Sequence, residues 1–295
     1  MTAGARYGLL FMGIAGLSLA GVFYRAASAP PIAMVAWRML IGAGVLLPVA
    51  VVTSAMHRRV RIASSDLWWS IASGACFCVD LVLWAISLRY TSIASAALFV
   101  STQPIFVAAF AATALGERPS RATLVGIALG IVGIFIVGAV DLRVAGHTLI
   151  GDGLAMSAAF AETAYLLIGR RVRRHVDAPR YALVVYATCA ACCWLALVAL
   201  RVPASMSGHD MMMALGVALS ATVIGHTLVS FSLGHMPAPV VAVSFLAQPL
   251  LAAFFAYAIL HQSIPWTTAA GGLIALAGIG IVAYANERQP LAAGM

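Results

Sequence analysis

Four ionisable residues sit deep inside long apolar runs of this chain: Arg38, Asp80, Glu162 and His226. A charge in hydrocarbon is costly, so each marks a place where a polar group is needed. At 1.5 Å per helical residue, Arg38 lies roughly 10 Å below one end of its run, and Asp80 and Glu162 lie roughly 15 Å below theirs. This shared depth band allows Arg38 to neutralise one acid, and leaves the other to meet a substrate ammonium or a coupling proton. The expected arrangement pairs Arg38 with Asp80 and turns Glu162 to a cavity. Trp84, four residues after Asp80, and Tyr165, three after Glu162, share a helix face with their acids. Such rings can stack against a flat or apolar solute. His226 is expected to be neutral and hydrogen-bonded to a helix backbone, with titration near neutral pH as the functional alternative.

A second pattern is a pair of Gln-Pro steps. Gln103-Pro104 and Gln248-Pro249 each fall near the middle of an apolar run. Proline lacks an N–H and pushes away the carbonyl four residues earlier, here those of Val100 and Phe245. Freed carbonyls in a membrane need a partner or a cavity. Two half-broken helices with an amide at each break are therefore expected to line a central cavity.

The elements that hold these groups are long. Spanning a core of about 30 Å takes roughly 20 helical residues. Ten runs qualify: Tyr7–Ala26, Pro31–Val52, Leu67–Leu88, Ser92–Leu115, Ala122–Val140, Gly151–Ile168, Tyr181–Leu200, Met211–Leu233, Pro239–Leu260 and Thr267–Ala285. They are too long and too continuous for barrel strands. Composition agrees: 63% of the chain is hydrophobic and 9% charged, where a soluble domain carries about 25% charged residues.

The ten runs form two sets of five. Leu88–Ala139 aligns without a gap on Leu233–Tyr284 at an offset of 145, which superposes the Gln-Pro steps, Gly126 on Gly271 and Gly133 on Gly278. At the same offset Gly8-Leu9 falls on Gly153-Leu154, so the first run reads as a retained span, although its Arg6 and apolar stretch also fit a signal peptide. Five is odd, so the second copy enters the membrane upside down. The expected fold is all-α integral membrane, ten transmembrane helices as two inverted five-helix repeats, residues 1–145 and 146–295. A pair related by a pseudo-two-fold axis in the membrane plane is the architecture of secondary transporters, with the substrate site between the halves. The glycines of Gly126, Gly130 and Gly133 and of Gly271–Gly280 suit close helix contact, so the fifth and tenth spans read as packing or dimerising elements.

The net charge of +8 comes from arginine alone. Twelve arginines, including Arg58–Arg61, Arg118, Arg121, Arg170–Arg174 and Arg180, fall on one side of the spans; Arg25, Arg89, Arg143 and Arg201 fall on the other. By the positive-inside bias both termini are cytoplasmic, in a bacterial-type inner membrane. Clusters this short between apolar runs give no reason to expect nucleic acid. Cys76, Cys78, Cys189, Cys192 and Cys193 all lie in apolar runs. Cys189 and Cys192 form a C-x-x-C with no second pair or nearby histidine, so these residues read as small apolar fillers and no metal site is expected.

Further features are Ala36-Trp37-Arg38, Ala85–Ser92 running into Ala94–Leu98, Gln103-Pro104, and Gly116-Glu117-Arg118-Pro119 before a glycine-spaced span. Together with the ten spans in two repeats, they resemble the EamA branch of the drug/metabolite transporter superfamily. The resemblance covers about Tyr7 to Ala285 and implies export of small metabolites, with aromatic amino-acid exporters among the nearer relatives. The second half departs at His261-Gln262-Ser263-Ile264, where Gly-Glu-Arg-Pro would recur, so Glu117 reads as a loop or helix-end residue. The implied substrate is a small amphipathic solute, foremost an amino acid, moved by alternating access. The expected binding residues are Glu162, Tyr165, Gln103, Gln248, Trp84, Arg38, Asp80 and His226, with Pro104 and Pro249 as helix breaks. No cofactor is expected, and no P-loop lysine exists to hold ATP. An intramembrane enzyme would need a nucleophile-base pair or metal cluster, and a channel would need a filter; neither is legible. An uptake permease, a drug exporter, and a monomer or homodimer all remain open.

Overall fold

A computed structural model describes residues 1–56, 62–91, 96, 99–138, 149–260 and 266–288. The arginine loop at His57–Arg61, the stretch around Ala94–Leu98 apart from Ala96, Arg143, the expected boundary at 145/146 and His261–Ile264 lie outside the described residues. Every described element is helical. Seven helices are long and apolar enough to cross a membrane. Two shorter apolar helices, Gln103–Leu115 and Arg121–Ile136, and the 24-residue helix Leu149–Val172 complete ten segments. That last helix carries Asp152, Glu162, Arg170 and Arg171, which lower its hydropathy.

The segments keep the 145 offset through both halves. Moved by 145, the third span Ser64–Ser87 becomes 209–232, and the eighth runs from Gly208 to Leu233. The second, Pro31–Met56, becomes 176–201, and the seventh is Ala178–Ala199. Packing follows the same symmetry. The third span lies along the sixth and the first along the eighth, while the second meets the seventh, the fourth the ninth and the fifth the tenth. Exchanging each span for its counterpart turns this set of contacts into itself, as two inverted repeats require.

Glycine makes the tightest of these contacts possible. A Cβ on Gly126 would sit 2.6 Å from the Gly278 carbonyl oxygen, and one on Gly133 would sit 2.5 Å from that of Gly271. Each glycine thus faces the counterpart of the other, and the fifth and tenth spans cross with backbones touching. The repeated glycines are used within the chain.

Four spans depart from regular α-helix where the site is built. The first is interrupted at Leu19, between Ala3–Ser18 and Ala20–Ala26. Here the Ser18 hydroxyl donates to the Ile14 carbonyl at 2.8 Å, a back-bond that bends helices. The eighth widens into a π-helix over Ala218–His226, a form that recurs at functional sites. Its Ser220 carbonyl oxygen presses on Gly16, where a Cβ would be 2.5 Å away. The ninth tightens to a 3₁₀ turn at Phe245–Ala247 just before Gln248-Pro249. In the fourth span the chain turns at Ser101-Thr102, and a helix begins at Gln103 with Pro104 in its first turn. Both Gln-Pro steps therefore start a helical segment, where proline has no hydrogen bond to lose. The Gln248 N–H donates to the Phe245 carbonyl, so that oxygen is satisfied within the 3₁₀ turn.

Candidate functional site

A cavity of about 110 Å³ lies between the repeats. Arg38, Asp80, Trp84, Glu162, His226, Gln248 and Pro249 line it, all of them expected from the sequence. Lining positions come in repeat-related pairs: Leu17 with Glu162, Leu81 with His226, Val100 with Phe245. The cavity thus straddles the pseudo-axis, but its chemistry is asymmetric. One half offers an acid and an imidazole where the other offers leucine.

Arg38 is 1% exposed, and its Nε donates to Thr222 Oγ1 at 2.7 Å. Thr222 lies in the π-helix, and its carbonyl accepts from the Tyr186 hydroxyl at 2.9 Å. The guanidinium is thereby braced against the widened turn. The expected Arg38–Asp80 ion pair is absent: among the described residues, neither Asp80 nor Glu162 comes within ion-pair distance of Arg38. Spacing placed the three at one depth but could not fix the helix rotations, and these aim both acids into the shared cavity. Each residue is 5% exposed, and among the described residues neither carboxyl accepts a hydrogen bond. With all three ionised, the site carries one uncompensated negative charge, which is expensive unless a ligand or proton meets it.

His226 closes the π-helix. Among the described residues it does not make the expected backbone hydrogen bond, and its Nδ1 is buried without a partner. The ring stands edge-on to Phe77, with centroids 4.6 Å apart. Phe77 also stacks on Tyr165 at 4.6 Å. Tyr165 does not line the cavity. It is fully buried, and its hydroxyl lies 3.3 Å from Ser230 Oγ, so it supports Phe77 and His226 from behind. Trp84 does line the cavity, held edge-on by Tyr24 at 5.4 Å.

Gln103 and Pro104 depart from the expected symmetry. Gln248 and Pro249 reach the cavity, but the first repeat contributes Val100 and Ser101 instead. Gln103 is buried, and among the described residues both its amide atoms lack a partner. Among the lining residues missed in the sequence, Leu17, Leu81 and Val100 are the 145-offset counterparts of Glu162, His226 and Phe245. Ser18 and Ser101 carry no such mark, since apolar runs contain many serines.

The two ends of the bundle differ. Gly21, Arg38 and Trp84 sit near the end where the first span gives way to the second and the third ends. The opposite end is tied by Glu117, which the sequence marks only as a loop or helix-end residue. Gly116 ends the fourth span with φ 70°, a left-handed conformation suited to glycine. Glu117 Oε1 then accepts from Arg170 Nε at 2.7 Å and from Arg174 at 3.0 Å. Its Oε2 accepts the Ala238 N–H at 3.0 Å, at the start of the ninth span. One carboxylate thus joins the fourth, sixth and ninth spans across both repeats. Arg173 is engaged as well, donating to the Ser230 and Val176 carbonyls. Burial pushes its guanidinium down to about 10. Arg170 and Arg173 therefore serve internal contacts, and Arg171 lies over the Trp69 ring at 5.0 Å.

Ten helices in inverted halves around a polar intramembrane cavity define a multi-pass membrane transporter fold. The model of the EamA-like transporter family matches residues 6–139 and 149–284, one match per repeat. The chain belongs to the EamA-like transporter family. An uncharacterized transporter of Archaeoglobus fulgidus is 24% identical over 201 residues, covering 66% of this chain and 68% of that one. A crystal structure of 19% identity superposes with a TM-score of 0.76, covering 98% of this chain and all of the other, and shows the same fold. The protein is thus a non-enzymatic transporter of small molecules in a membrane.

Proposed function

We propose that this transporter is a secondary carrier exporting small amphipathic metabolites, amino acids first among them, by alternating access between its repeats. The observation that carries the reading is the lining of the cavity: one braced guanidinium and two carboxyls that make no ion pair or hydrogen bond among the described residues, beside Trp84, Leu17 and Phe245. Arg38 suits a substrate carboxylate, as a planar donor fork does. Asp80 or Glu162 suits an ammonium, and the second acid is the place for a coupling proton. Trp84 and Phe245 accept an apolar or aromatic side chain. The Glu117 contacts close one end of the bundle, and rearranging them would open the cavity to that side. On this reading that end is cytoplasmic, as are both termini, in a bacterial-type inner membrane. Accumulation of labelled amino acids in counterflow, measured in liposomes with and without a pH gradient, tests the proposal. Saturable exchange is expected, with aromatic or branched amino acids preferred. Unsaturable flux would indicate a channel, and exchange of unrelated cationic drugs alone would favour drug export.

A further inference from the structure

Three cysteines that the sequence scatters are gathered by the fold. Cys189 and Cys193 are four residues apart on the seventh span and share a face. Cys78, from the third span, completes the group. The three sulfurs all lie within 4.8 Å of one another, and Cys78 Sγ is 3.4 Å from Cys193 Sγ. Cys192, the apparent C-x-x-C partner of Cys189, is not among them. A centre bonded to three sulfurs at about 2.3 Å, the length of zinc–thiolate bonds, needs them about 3.5–4 Å apart. The cluster needs only small side-chain rotations to meet that.

Charge selects the occupant. Cys189 and Cys193 are fully buried, and Cys189 lies roughly 17 Å along its helix, near the middle of the bilayer. Three thiolates around zinc(II) leave a net charge of −1, and around copper(I) −2, both costly at this depth. Three thiolates around arsenic(III) are neutral. Arsenous acid is itself a neutral hydroxide, so it can reach a site inside the membrane. We propose that Cys78, Cys189 and Cys193 form a three-thiol site for trivalent arsenic or its heavier congener antimony. On binding, three S–H and three As–O bonds break, three As–S bonds form and three waters leave. No oxidation state changes and no other reactant is needed. The bound atom bridges a span of the first repeat to a span of the second.

The test uses full-length protein in detergent carrying Cys76→Ser and Cys192→Ser, so that only the three thiols remain. After arsenite treatment and desalting, intact mass and alkylation are measured. The expected result is one arsenic per chain, three thiols shielded from alkylation, and release by a small dithiol. Each further change, Cys78→Ser, Cys189→Ser or Cys193→Ser, should weaken retention about 100-fold or more, because a chelating arm is lost. Size-exclusion profiles identify any variant that fails to fold. Retention unchanged by Cys78→Ser, an adduct leaving one thiol free, or monodisperse parent protein that retains no arsenic would each overturn the site. Tight binding of zinc or copper(I) with arsenite excluded would overturn the metalloid assignment.

Discussion

Asp80 and Glu162 are equals in this structure. Each is almost wholly buried, each faces the cavity, and neither is joined to Arg38. An amide at either position keeps the shape and removes a charge that is not part of an ion pair, so folding should survive. Glu162→Gln and Asp80→Asn are each expected to lower transport of zwitterionic or cationic solutes about tenfold or more, the worth of one charge-assisted hydrogen bond. Detergent-stable yield should stay near that of the parent. A large loss of yield in Asp80→Asn alone would instead restore Asp80 as the structural partner of Arg38. Legibility at this scale followed polarity. Arg38, Asp80, Glu162 and His226 stand out against apolar runs, whereas Tyr165 does not reveal that it turns toward Phe77 and Ser230 and away from the ligand.

At the scale of elements, the helix breaks separate the two Gln-Pro steps. Pro249 reaches the cavity and Pro104 does not, although the two are aligned in sequence. Pro249→Ala allows the ninth span to wind regularly through Phe245–Ala247, and is expected to reduce transport several-fold at matched yield. Pro104→Ala should do less, and initial rates of counterflow for the two compare them directly. Equal losses would return both steps to one symmetric role. The fifth and tenth spans supply a stability prediction. A Cβ on Gly278 would fall 2.5 Å from the Gly126 carbonyl oxygen, where only backbone movement can relieve it. Gly278→Ala should cost about 1–3 kcal/mol, read as a lower thermal midpoint and a lower folded yield, while Gly280→Ala, with open space around it, should be neutral.

For the whole molecule, the question is which way the inverted pair sits. The end tied by Glu117 carries Arg170–Arg174 and is taken as cytoplasmic. Arg174 is 43% exposed at its side chain, so Arg174→Cys in a cysteine-free background should resist an impermeant thiol reagent applied to intact cells and react after permeabilisation. Labelling from outside would reverse the orientation. Two arginines that contribute to the positive-inside count, Arg170 and Arg173, are buried and hydrogen-bonded, so exposed loop positions are the better reporters.

What the sequence determined by itself is the part of this protein that depends on solvent and on counting. Long apolar runs have to be helices in a bilayer, five of them repeated have to invert, and ionisable groups within them have to serve a purpose. The 145-residue offset even holds the partners of the touching glycines and of several cavity positions. Tertiary structure decided what depends on helix rotation and on contact between distant spans. It freed Arg38 from both acids by giving it Thr222, sent Tyr165 and Gln103 into the packing, made Glu117 a tie between three spans, and brought Cys78 to Cys189 and Cys193. A helical residue's depth follows from its number along the chain. The direction its side chain points follows from how whole helices dock, and a π-turn or a 3₁₀ turn rotates everything beyond it without changing a single letter.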